Sequence, residues 1–216
     1  MFFVIFLRIL LAVVFLIAVS IIMIFLYSFP AYFRLRGCKK QTILGEVCAI
    51  EDAINYLKKA DKLEGWDLVA AAQSIVNQKM EYSRRNNWDS PRRAFARGMG
   101  YCWQQAEALK MILDGLGIES RLVQSARNLF PPKKIHEYES KGGYCGHAWL
   151  KVNINGVEKD VCPGHPENKP GKIHFVIAGK VSDYKGIIKY LGHLGSVLMN
   201  RYWDRRALAE LRKING

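Results

Sequence analysis

The feature that most constrains this chain is its first thirty residues. Phe2 to Phe29 is built almost wholly of Phe, Ile, Leu, Val, Ala and Met, and Arg8 is its one charge. At roughly 1.5 Å of rise per residue, a helix of that length crosses a ~30 Å hydrocarbon core. A cleaved signal peptide has a shorter apolar core and a small-x-small cleavage site. Leu26-Tyr27-Ser28 offers no such site, so the run reads as an uncleaved anchor. Tyr27, Tyr32 and Phe33 suit the membrane interface, and Pro30 is expected to end the helix. Arg34, Arg36, Lys39 and Lys40 follow the span, while only Arg8 and the amino terminus precede it. The positive-inside rule therefore leans the rest of the chain toward the cytoplasm. Arg8 acting as the start of a signal anchor would give the opposite topology.

What remains of the 216 residues is enough for one domain with its own core. Half of the residues are hydrophobic and 24% are charged, a balance that excludes a disordered chain. Nearly all of the +13 net charge follows the anchor. A basic surface beside a bilayer suits anionic headgroups or an acidic wall polymer, or is simply a solvated surface. No nucleic-acid-binding signature accompanies it, so nucleic acid is not an expected partner. The five cysteines, Cys38, Cys48, Cys102, Cys145 and Cys162, are an odd number and make no disulfide framework. At least one thiol is left over, as a reducing compartment or a catalytic cysteine would have it.

Periodicity places the elements. Val47, Ile50, Ile54 and Leu57 predict a helix over about 46–60, and Leu68, Ala71, Ile75 and Val76 predict another from Asp67 to Met80, with Gly65 as a break between them. Ser90-Pro91 reads as an N-cap followed by Pro at the first helical position, opening a short helix to Arg97. Gly98 and Gly100 then force a tight turn. Cys102, Ala106, Leu109, Leu113 and Leu116 form one apolar face, which Gly117 ends. Ile118–Gln124 predicts a strand, and the polar stretch 127–143, with Pro131-Pro132, a long loop. His147–Ile154 and Val157–Cys162 alternate apolar and polar across Asn155-Gly156, a two-residue hairpin turn. Ile173–Ala178 is a further strand, and the tail from Tyr184 reads as basic helix. Helices followed by antiparallel strands make an α+β fold.

Chemistry concentrates where that pattern puts Cys102. A thiolate in the first turn of a helix feels the positive end of the macrodipole, and the unpaired N–H groups there can hold an oxyanion. Gly100 leaves the backbone open to a substrate. A small buried apolar residue is the plain alternative for Cys102. A base is needed, and of His136, His147, His165, His174 and His193 the best placed is His147, on a predicted strand just after Gly146 and before Ala148-Trp149, where a ring is held rigidly.

The run Gly100-Tyr101-Cys102-Trp103-Gln104-Gln105-Ala106, followed by Leu109, Leu113 and Gly117-Ile118, resembles the nucleophile helix of transglutaminase-like proteins. Gly146-His147-Ala148-Trp149 resembles their histidine strand, and Asn155-Gly156 followed by Asp160 resembles the turn and strand that bear their acid. Tyr82 and Ser90-Pro91 resemble the lead-in, and the resemblance spans about residues 66–180. It implies a papain-like core, with the nucleophile helix packed on an antiparallel sheet, and a Cys102, His147, Asp160 triad. It also implies a thioester route on amide bonds, as in transglutaminases, proteases and other amide hydrolases, although some members are catalytically silent. Protein or peptide substrates follow from it, and no cofactor. The chain then divides into an anchor (1–33), a membrane-proximal linker and helix (34–65), the transglutaminase-like domain (66–180) and a basic tail (181–216). One departure stands out. A two-residue turn puts residue 160 opposite 151, about four steps and on the order of 13 Å from His147, whereas the family's acid falls a little later in the strand.

Two alternatives compete. Cys145, His147, Cys162 and His165 lie at the open end of one hairpin and could form a zinc quartet. The domain could also be a binding module without turnover, with the 127–143 stretch as its partner loop. The side chain of the oxyanion hole stays open among Trp103, Gln104 and Tyr82.

Overall fold

The computed structural model describes residues 2–34, 47–60, 63–83, 89–135, 138–140, 142–187 and 189. Expectations for His136, His193, Cys38 and most of the basic tail lie outside these residues. Among the described residues, five helices and nine strands follow in order: α1 (Phe2–Arg34), α2 (Ile50–Lys59), α3 (Gly65–Lys79), β1 (Glu81–Tyr82), α4 (Pro91–Arg97), β2 (Met99–Gly100), α5 (Cys102–Gly115), β3 (Ser120–Phe130), β4 (Lys133–Ile135), β5 (Tyr138–Ser140), β6 (Gly143–Ile154), β7 (Val157–Val161), β8 (Val176–Ile177) and β9 (Val181–Asp183). This is an α+β chain in which helices precede an antiparallel sheet.

Within α1, Phe3–Met23 is long and apolar enough to cross a membrane. The helix does not stop at Pro30 but runs on to Arg34. A proline removes one N–H donor without forbidding the helical dihedrals around it, and apolar spanning helices tolerate that loss.

Helices α2 to α5 form the first half of the core. Ser90 Oγ accepts the Arg93 N–H and Pro91 opens α4, while Gly98 closes it in the left-handed region at φ 73°. Gly65 is the first residue of α3 rather than a break before it. Helix α5 lies at the centre, with Ala106, Leu109, Ile112 and Leu113 sealed against Val69, Val76 and Phe95. Its carboxyl end turns at Gly117, φ 75°.

The main sheet has the order β7-β6-β3-β8, with β9 pairing farther along the same edge of β3. Alternation divides its two faces. Ala148, Leu150, Val152 and Val161 join the helical core, while Trp149 and Cys162 join a second cluster with Val123 and Phe175. Asn155 (φ 52°) and Gly156 (φ 80°) both adopt the left-handed region, so the two-residue turn forms as expected. It sets Lys151 opposite Asp160 and Leu150 opposite Val161.

The described part of the stretch 127–143 is largely strand rather than loop. Strand β3 runs on to Phe130, β4 and β5 pair as a small hairpin, and β6 begins at Gly143. The polar residues that suggested a loop mark a β-bulge: pairing passes from Ser125–His147 to Asn128–Cys145, so two β3 residues face one on β6. Buried Asn128 donates through Nδ2 to the Ser125 carbonyl (2.9 Å) and the Cys145 carbonyl (3.2 Å), satisfying groups that the interrupted ladder leaves over.

Candidate active site

The nucleophile candidate stands at the first residue of α5, partly buried. The turn before it is fixed from below. Gln104 Oε1 accepts the Tyr101 N–H at 3.1 Å, and Gln104 Nε2 donates to the Asp89 carbonyl at 2.8 Å. Both ends of this fully buried amide are thus committed to holding the helix start, which takes Gln104 out of the oxyanion candidates. Gly100 also has a structural reason. A Cβ there would lie 2.6 Å from Met80 Cε and 3.1 Å from Gln104 Cβ, so the glycine admits packing from inside the domain. Gln105 Nε2 donates to the Met80 carbonyl at 2.9 Å and ties α5 to the end of α3. Trp103 lies under the Lys189 ammonium, 5.0 Å from the ring centroid, and Lys189 Nζ also reaches Glu107 at 3.3 Å. Tyr82 stays exposed on β1, paired with Gly100.

His147 projects from β6 into an aromatic enclosure. Phe175 meets its ring edge-on at 4.7 Å and Phe130 at 5.2 Å, and Trp149 lies roughly parallel at 6.2 Å. Burial, aided by the nearby His174, pushes the His147 imidazole down to about 3. The ring is therefore neutral at pH 7. Its Nε2 lies 3.3 Å from the sulfur of Cys162.

Asp160 is elsewhere on the same face. Its Oδ1 accepts the Trp149 indole N–H at 2.7 Å and lies 3.5 Å from Lys151 Nζ. The register explains the displacement: Asp160 is level with Lys151, and Cys162, two residues later, comes round to the histidine. The carboxylate read as the triad acid thus pins a buried indole, and a thiol occupies the position beside His147.

Cys162 is held in place by its surroundings. Asn168 Nδ2 donates to the Cys162 carbonyl at 2.8 Å, and the Asn168 amide also meets His174 Nδ1. Burial pushes the Cys162 thiol up to about 12, and the charge of Cys102 adds to the rise. Burial and then Cys102 push the Tyr184 hydroxyl up in the same way, also to about 12. Cys102 is accordingly an electrostatic neighbour of both Cys162 and Tyr184, and Cys162 is in contact with His147.

The zinc quartet does not assemble. Among the described residues no three His, Cys, Asp or Glu side chains gather in a way that could hold a metal ion. Cys145 is exposed on the far side of the bulge, and His165 stacks on His174 at 4.8 Å between centroids. The zinc expectation puts Cys162 beside His147 at the open end of the hairpin but misses the thiol as the partner of the ring nitrogen. The signal available was its register, two residues beyond Asp160 on the same face.

Residues 52–158 match the family model of the transglutaminase-like superfamily, and the chain carries that superfamily's core over this stretch. No curated protein matches it. Among solved structures, a "Putative Cysteine Protease" from Cytophaga hutchinsonii is similar at 16% identity, with a TM-score of 0.39 over 64% of this chain. The chain spans 50% of that protein's length.

Proposed function

We propose that this protein is a membrane-anchored, thiol-dependent amide hydrolase or acyl transferase, with Cys102 as nucleophile and His147 as base. The observation that carries this reading is the position of Cys102 at the head of a buried helix inside a transglutaminase-like core. Its sulfur attacks a carboxamide or peptide carbonyl carbon while the thiol proton passes to the neutral imidazole of His147. Backbone N–H groups at the positive end of α5 stabilise the oxyanion. The C–N bond then breaks, and the departing amine takes the proton back from the imidazolium. Water, or a second amine, cleaves the thioester and restores the thiol. Protein or peptide chains are the substrate class. The N-terminal span anchors the enzyme with the domain on the cytoplasmic side, near anionic lipid.

A second reading, a binding module without turnover, has one observation in its favour: the partner at His147 Nε2 is a thiol and not a carboxylate. A chloroacetamide probe on the full chain in detergent separates the two. Labelling of Cys102 at pH 7.5 is expected to be read out by peptide mass, to vanish in Cys102→Ala, and to slow by ~100-fold or more in His147→Ala. Equal labelling of the wild type and His147→Ala would favour the silent module.

A further inference from the structure

The sheet puts a sulfur at the histidine's outer nitrogen and a carboxylate two residues away, where it is engaged with an indole. We infer that Cys162 is the positioning residue of this site: its sulfur accepts the Nε2–H of His147 and leaves Nδ1 bare as the base that serves Cys102. This inference rests on the hydrolase reading above and deepens it.

Four observations support the assignment. The Nε2 to Sγ separation of 3.3 Å is hydrogen-bond distance for sulfur. Cys162 is 1% exposed and fixed through its own carbonyl by Asn168, so the sulfur is a rigid acceptor. A Cβ on Gly164 would lie 3.4 Å from that sulfur, so the turn after β7 closes over the thiol. The ring itself is clamped by Phe130 and Phe175, which leaves little freedom for rotation.

The consequence is an uncharged relay. A carboxylate at Nε2 would stabilise the imidazolium and favour a resting thiolate–imidazolium pair. A neutral thiol does not. Around His147 stand Cys162 after β7 and His174 from the following loop; Cys102 at the head of α5 is the electrostatic neighbour of Cys162, with Tyr184 beyond it. Burial holds the Cys162 thiol, the group at Nε2, neutral at pH 7. With a thiol rather than a carboxylate at Nε2 and its ring buried, His147 rests neutral, and the acid limb of the site falls below that of an ordinary histidine.

The test compares the full-length wild type in detergent with Cys162→Asp, Cys162→Ser, Cys162→Ala and His147→Ala. Imidazole nitrogen shifts report the tautomer and titration of His147, and iodoacetamide with peptide mass reports Cys102. Circular dichroism confirms folding, and Cys162→Ser serves if the alanine variant fails that check. The wild type is expected to show protonated Nε2 and bare Nδ1 with no titration between pH 5 and 8. Cys162→Asp is expected to bring the histidine's titration into that window and raise Cys102 alkylation at pH 6.5 by about tenfold. Cys162→Ala or Cys162→Ser is expected to weaken the tautomer preference. A wild-type Nδ1–H tautomer, or a His147 titration unchanged by every Cys162 variant, would overturn the inference. Loss of any His147 effect on Cys102 would instead overturn the hydrolase reading, so the two failures are distinct.

Discussion

Asp160 and Cys162 lie two residues apart on one face of the same hairpin, and they do opposite things. Asp160, the residue with the chemistry of a catalytic acid, accepts the indole N–H of Trp149 and sits beside Lys151. Cys162, with the chemistry of a core residue, touches the imidazole. The difference teaches that ladder position outranks residue type. A strand advances ~3.3 Å per residue, so a side chain two places early is aimed at a different neighbour however suitable its functional group.

The comparison breaks first under acid. The folded His147 resists protonation down to about 3, while an unfolded one takes a proton near 6.5. Between those values the unfolded state binds more protons, so stability falls as pH falls, by at most ~1.4 kcal/mol per pH unit, and levels off below 3. Urea midpoints at pH 7 and pH 5 are expected to show this slope in the wild type and Asp160→Ala, and a shallower one in His147→Gln. The same slope in His147→Gln would place the acid sensitivity elsewhere.

Asp160→Ala sharpens the contrast. It strands a fully buried indole N–H, and the expected loss is ~1–3 kcal/mol of stability with the His147 titration unmoved. A changed histidine titration would return Asp160 to the catalytic group. Lys151→Ala should do least. Its partners Glu158 and Asp160 are partly exposed, and the expected loss of urea stability is ~1 kcal/mol or less.

Much of this was legible in the sequence. The Cys102-Ala106-Leu109-Leu113 stripe places α5, and Asn155-Gly156 sets the hairpin register that the structure keeps at Lys151–Asp160. What periodicity could not show was β3 continuing through Arg127 and Asn128. A buried asparagine that repairs a bulge looks like loop composition until its carbonyl partners are in place. Nor could residue type reveal Cys162. A thiol reads as core or as a metal ligand, and the hairpin places it near His147 only in that second sense; its contact with Nε2 shows only in the folded structure. Gln104 misled for a similar reason, because its partners at Tyr101 and Asp89 are tertiary.

The most direct test of the account is acyl-enzyme trapping. The full chain in detergent, mixed with an activated ester, is expected to gain one acyl group on the Cys102 peptide that hydroxylamine removes. The adduct should form in Asp160→Ala and be lost in Cys102→Ala and His147→Ala. Acylation that ignores His147, or that settles on a residue other than Cys102, would contradict it.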